Sequence, residues 1–279
     1  MGWSIVTDSS CDLFPHKVNE ENIKMSSVPF IINIGDNEYI DDEKIDVEAF
    51  VEDMVTSTKA TGTACASPDR WKEEFSKAAK TIAVTISSNL SGSFNSASIG
   101  KTMALEEDET KKIAIIDSKS AGPELIICVE RVIELIKNGV HFDEIVKQAE
   151  KCVEDTHVVF ALHSFENLRK NGRISSVKCL FAKMMNLWGI GIGTDEGKIT
   201  IKDKARGEKK ALESIITDMK SNGFNGGKVV ISHCINRELA EKMKEKLLET
   251  WENIEIEIYK TRGLCSYYVE KGGIIVAYA

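Results

Sequence analysis

Between residues 81 and 139 the chain twice runs the same course: an apolar strand, a polar turn holding a glycine, then a helix. Residues 81–87 lead through Ser87-Ser88-Asn89-Leu90-Ser91-Gly92-Ser93 into a helical run from Phe94. Residues 112–117 lead through a second polar turn, ending Gly122-Pro123, into a helix from Glu124 that Gly139 closes. Strands joined by helical crossovers lie parallel, so the repeated unit demands a parallel sheet with helices on its faces. Residues 3–6 form a short β-prone run that stops at Thr7-Asp8-Ser9-Ser10 and supply the first strand of that sheet. The ends of such strands are where α/β proteins carry their working turns.

The remaining elements hang on this frame. Residues 28–34 and 39–40, on either side of Gly35 and Asn37, read as a β-hairpin inserted at about residues 25–45. Ser67-Pro68-Asp69 announces a helix, with Ser67 as N-cap and Trp71, Phe75, Ala78 and Ala79 as its apolar stripe. A further helix covers residues 143–155. From residue 157 the texture changes: a strand at 157–162, a short helix at 164–173 stopped by Asn171-Gly172, then an apolar helix at 175–188. That helix carries Val177, Leu180, Phe181, Met184, Met185 and Leu187, and is either core or the lining of a lipid cavity. Strands at 189–193 and 198–204, a helix at 208–222, a strand at 228–234, a helix at 237–251 and strands at 254–259 and 273–279 follow. The fold class is α/β. An N-terminal three-layer α/β/α domain with a parallel sheet and a small hairpin insertion is expected over residues 1–156, and a C-terminal two-layer α/β domain with a mixed sheet over residues 157–279.

Charge and composition exclude several functions. The formal net charge is −8, which argues against binding nucleic acid or an anionic membrane surface. The N-terminus has no basic segment followed by an apolar one, and polar residues interrupt every apolar run before it could span a bilayer. Seven cysteines without a Cys-x-x-Cys pair suit a reducing, cytoplasmic setting. His157, His163 and His233 stand at no recognised ligand spacing, so no metal is expected. No Walker A or Gly-x-Gly-x-x-Gly pattern calls for a nucleotide cofactor.

One local feature has chemical promise. The turn at Ser91-Gly92-Ser93 joins a strand to a helix, so it offers free backbone N–H groups, the positive end of a helix dipole, and one hydroxyl more than an N-cap needs. That is the outline of an anion site. Enzymatic alternatives are a hydrolase using Ser91 or Ser93, or a sugar-phosphate or nucleotide enzyme using the Asp8-Ser9-Ser10 loop as well. The first lacks a Gly-x-Ser-x-Gly elbow and an evident histidine base. In the second, Asp8 reads more simply as a residue that organises its own loop.

Six motifs in order carry a family resemblance: IVTDSSCDL at the start, TACASP at 63–68, ISSNLSGSFNSA at 86–97, IIDSKSAG at 115–122, ENLRKNGRIS at 166–175 and GKITIKDKARGEKKAL at 197–212. Together they resemble the DegV family along nearly the whole chain. The resemblance implies the two-domain architecture above and a single long-chain fatty acid as ligand, with no cofactor and no catalysis by the protein itself. It implies a separate fatty acid kinase as partner in some relatives. It places the carboxylate on Thr63, Ser91, Gly92 and Ser93, with Ser67 competing between ligand contact and its capping role. Where relatives often carry a histidine near the carboxylate, Arg262 stands, either gripping the carboxylate through two parallel bonds or serving as a solvated loop cation. Arg173 and Arg206 match basic positions that face the kinase partner.

Overall fold

The computed structural model describes residues 2–174 and 186–279. Its strands in chain order are β1 (Trp3–Asp8), β2 (Ile23–Val28), β3 (Ile31–Ile34), β4 (Asn37–Ile40), β5 (Thr61–Ala64), β6 (Lys80–Thr85), β7 (Lys112–Asp117), β8 (His157–Leu162), β9 (Leu187–Gly193), β10 (Ile199–Arg206), β11 (Gly227–His233), β12 (Ile254–Lys260) and β13 (Ile274–Tyr278). The helices are α1 (Val47–Thr56), α2 (Pro68–Ser76), α3 (Ser93–Glu107), α4 (Pro123–Lys137), α5 (Phe142–Asp155), α6 (Glu166–Lys170), α7 (Glu208–Ser221), α8 (Arg237–Thr250) and α9 (Gly263–Val269).

The repeated strand–turn–helix unit builds a parallel sheet in the order β2-β1-β6-β7. A mixed sheet runs β10-β9-β8-β13-β11-β12, and β4-β3-β5 make a small antiparallel sheet. Helices α2 and α3 cover one face of the parallel sheet through Trp71, Phe75, Ala97 and Ala104. The helix α4 has Leu125, Ile126, Ile127, Cys128, Val129, Val132 and Leu135 buried, too many for one face. It packs with α5 against Ile5, Ile82 and Ile116 of the parallel sheet, and meets Val230 and Ala277 of the mixed sheet in the same core. The α4–α5 layer is therefore shared by both sheets. Helices α7 and α8 close the far side of the mixed sheet.

The structure departs from the sequence reading in several places. The run at 28–34 is broken at Pro29: residues 23–28 belong to β2 at the edge of the parallel sheet, and only β3 enters the hairpin. A proline has no N–H to give to a ladder, so the break falls there. The inserted sheet gains a third strand, β5, so Thr63 pairs directly with Ile32. Helices α1 and α9 had no counterpart in the sequence reading. Ser67 sits at the N-cap position before Pro68, yet its side chain makes no cap bond. The apolar helix read over 175–188 falls on residues 175–185, outside the described residues, while Leu187 and Trp188 open β9.

Strand β9 alternates in a way that shapes what lies above it. Trp188, Ile190 and Ile192 point into the core beneath α7 and α8. The opposite face of the same strand carries Gly189 and Gly191, paired with Leu162 and Phe160 along β8, and Gly193, which lies beside Val158.

Candidate functional site

The site begins at the end of β1. Asp8 is fully buried, and its two carboxylate oxygens accept four bonds: Oδ1 from the Ser10 N–H (3.1 Å) and hydroxyl (2.5 Å), Oδ2 from the Ile86 N–H (3.0 Å) and the Ser93 hydroxyl (2.6 Å). Burial pushes this carboxyl above its usual range, opposed by those four donors. Asp8 thus clamps the ends of β1 and β6 to the first turn of α3. The Ser91-Gly92 turn is held by the Ser87 carbonyl, which accepts from the N–H groups of Leu90 (3.0 Å) and Ser91 (3.1 Å). Gly92 takes the N-cap position of α3, and the Ser93 N–H donates to Ser91 Oγ (3.3 Å).

Beside this turn lies a cavity of about 330 Å³, of the size that holds small organic ligands. Phe30, Ile86, Phe160, Leu162, Leu264 and Ile275 are among its apolar walls. Its polar lining gathers in one region. Thr63 Oγ1 and Tyr268 Oη share a hydrogen bond of 2.9 Å. The Arg173 Nε donates to the Leu90 carbonyl (3.0 Å), and the Arg173 charge acts on the Tyr268 phenol. Burial raises that phenol above its usual pKa, which keeps it a neutral O–H donor. Thr63, Tyr268, Arg173 and the Ser91-Gly92 start of α3 are therefore neighbours, and all line the cavity. Lys119 and Lys198 add two further cations, and no carboxylate is found among the described residues that line it. An anionic headgroup with an apolar body matches this lining.

The β9–β10 turn seals the wall near Lys119. The Ser87 hydroxyl donates to the Gly197 carbonyl (2.7 Å), and the Asn89 side-chain amide donates to the Glu196 carbonyl (2.7 Å). Asn171 and Thr61 both bond the Tyr267 hydroxyl, at 3.0 Å and 2.7 Å.

The residues singled out in the sequence are divided by the fold. Thr63, Ser91 and Gly92 line the cavity. Ser93 does not; it is fully buried and committed to Asp8. Arg173, assigned to a partner-facing surface, is half-buried in the cavity wall, whereas Arg206 is exposed at the end of β10. Arg262 is not part of the lining. It is fully buried, with its guanidinium donating to Ser27 Oγ (3.0 Å) and the Asp41 carbonyl (2.9 Å) and lying 4.8 Å from the Phe14 ring centre. Its own N–H donates to Asp12 Oδ1 (2.8 Å), and the Asp41 carboxylate caps α9 through the N–H groups of Gly263 and Leu264, both at 2.8 Å. Arg262 is thus a strut between the β4–α1 loop and α9. Tyr268, Lys119 and Lys198 were missed by the sequence reading; Tyr268 comes to Thr63 only because α9 folds back over β5, a contact with no local signal.

Comparison with known proteins gives one consistent outcome. A family model described as an uncharacterised protein of the DegV family matches residues 2–279. A DegV domain-containing protein of Streptococcus pyogenes serotype M1 is 36% identical over 278 residues, covering 100% of this chain and 99% of the relative. Among solved structures, the Streptococcus pneumoniae Fatty Acid Kinase (Fak) B3 protein loaded with linoleic acid is similar with a TM-score of 0.96 at 34% identity, covering 100% of this chain and 99% of that one. A DegV family protein from Eubacterium eligens loaded with heptadecanoic acid is similar with a TM-score of 0.94 at 32% identity, covering 99% of both chains. Among the described residues, no helix is long and apolar enough to cross a membrane.

Proposed function

We propose, from the premise that this chain belongs to the DegV family, that it is a binding protein for a single long-chain fatty acid and not itself an enzyme. The observation that carries the reading is the cavity: apolar walls with one polar region built from two hydroxyls, a guanidinium and a helix N-terminus, and no carboxylate among its described lining residues. The carboxylate rests on the Thr63–Tyr268 hydroxyl pair, Arg173 and the N–H group at Gly92, donors to the charged form, so it stays ionised while buried; the Ser91 N–H is already given to the Ser87 carbonyl. Burying roughly fifteen methylenes at about 0.8 kcal/mol each yields on the order of 12 kcal/mol, from which the cost of ordering is subtracted. Tight binding follows without a strong headgroup contribution.

The groups an enzymatic reading needs are already committed. Asp8 gives all its acceptor capacity to Ser10, Ile86 and Ser93, and Ser93 faces Asp8 instead of the cavity. Because a solved relative is the B3 protein of a fatty acid kinase, we further propose that a kinase subunit phosphorylates the bound carboxylate. Arg173 at the cavity wall and the exposed Arg206 are the cations offered to it. Protein purified from a bacterial host, denatured and extracted for mass spectrometry, is expected to yield one fatty acid per chain. An empty protein after loading trials, or a tightly held nucleotide, overturns the reading. Acyl phosphate formed on adding a fatty acid kinase and ATP tests the partner.

A further inference from the structure

On β8, Val158, Phe160 and Leu162 all line the cavity, and the residues of β9 that pair with Phe160 and Leu162 are the glycines Gly191 and Gly189. Phe160 uses the room this creates. A Cβ built on its cross-strand partner Gly191 would lie 2.2 Å from Phe160 Cε2 and 2.3 Å from Cζ, so the ring occupies the space a side chain at 191 would take. The Phe165 ring stands 6.2 Å away, centre to centre, on another side of it. With the Gly191 backbone beneath it, and Phe165 and its other cross-strand partner Ile275 beside it, the ring also borders the cavity.

We propose that Phe160, seated on Gly191, is the specificity-determining side chain of the apolar cavity, setting how long and how bent an acyl chain the protein accepts. This rests on the fatty-acid reading above. With the ring drawn down onto a bare backbone, a chain can pass over it. With any side chain at 191, the ring must retreat by about 1.3 Å or more to reach the ~3.5 Å at which carbons touch without repulsion, and it retreats into the path of the chain. Each methylene that loses its place costs roughly four-fold in affinity, so the loss falls on long chains and spares those that end before the ring.

The experiment is competition between stearate and laurate on purified, delipidated full-length protein, with folding checked by thermal melting. Gly191→Ala is expected to lower the stearate-over-laurate preference by about ten-fold, the loss of roughly two methylenes. The double variant Gly191→Ala/Phe160→Leu is expected to restore it to within about three-fold, because leucine removes the part of the ring that collides; a merely damaged fold would not recover. Phe160→Leu alone leaves the backbone untouched and is expected to raise oleate relative to stearate by about three-fold or more, which keeps the test open should Gly191→Ala not fold. Unchanged preference in both single variants, or no recovery in a folded double variant, overturns the assignment while leaving fatty-acid binding standing. Wild-type protein that takes up neither acid overturns the fatty-acid reading itself, and this assignment with it.

Discussion

Replacing Asp8 by asparagine changes one oxygen for an NH2 group and leaves shape and size alone, yet the surroundings predict a large effect. Four donors converge on the carboxylate, two on each oxygen. Whichever oxygen becomes the amide nitrogen, a backbone N–H loses its acceptor, from Ser10 or from Ile86, and the new donor faces it. A hydrogen bond to a charged group contributes about 1.5–3 kcal/mol, and an unsatisfied buried donor costs about 1–3 kcal/mol. Serine hydroxyls can rotate to accept from the amide, so roughly 4 kcal/mol is the expected loss. For a chain of this size, about 2 °C per kcal/mol puts the fall in Tm near 8 °C. Ser93→Ala removes just one of the four bonds and should cost about 2 kcal/mol, and the double variant should cost less than the sum because both act on the same contact. Thermal melting followed by circular dichroism reads all three. An Asp8→Asn protein that melts with the wild type, or strict additivity with Ser93→Ala, would refute the idea that this carboxylate is the clamp between β1, β6 and α3.

Three further outcomes follow from the same geometry. Arg262→Met should destabilise by about 3–5 kcal/mol, since it removes the charge facing buried Asp41 and the donor to its carbonyl; melting close to wild type would show that the guanidinium is no strut. Burial raises the Asp12 carboxyl from 3.8 to about 6, so the folded form holds that proton more tightly than the unfolded chain does. Its contribution, about 3 kcal/mol, is full below 3.8 and is lost as pH rises through about 6; Tm should fall mainly between pH 4 and 6, and Asp12→Asn should flatten that slope, whereas an equal slope in the variant counts against it. Arg173→Gln should weaken fatty-acid binding roughly ten- to hundred-fold, the loss of a charge-assisted bond, and an unchanged Kd would remove Arg173 from the headgroup site.

What the sequence made legible was local. The strand–turn–helix units, the stop at Gly139 and the Gly92 start of α3 are all written within a few residues, by alternation, capping and glycine placement. Asp8 could be read as a loop organiser because Ser10 is two residues away, but its bonds to Ile86 and Ser93 span the parallel sheet and leave no trace in spacing. Arg262 illustrates the limit best. The sequence reading leaves it as a carboxylate grip or a solvated cation, and nothing local says that Asp41, 221 positions earlier, supplies the carbonyl that turns it away from the cavity. Likewise residues 189–193 read in sequence simply as a strand; only pairing with β8 reveals that the bare backbone of Gly191 is the floor under Phe160.

The α4–α5 layer, buried against both sheets at once, constrains how any cargo enters and leaves. Swinging the parallel and mixed sheets apart like jaws would uncover at least three large side chains of α4, at about 2 kcal/mol each. An open-jawed form costing about 6 kcal/mol is rarer than roughly one molecule in ten thousand. Among the described residues, smaller parts such as the two bonds from Ser87 and Asn89 to the β9–β10 turn cost less to open than the jaws.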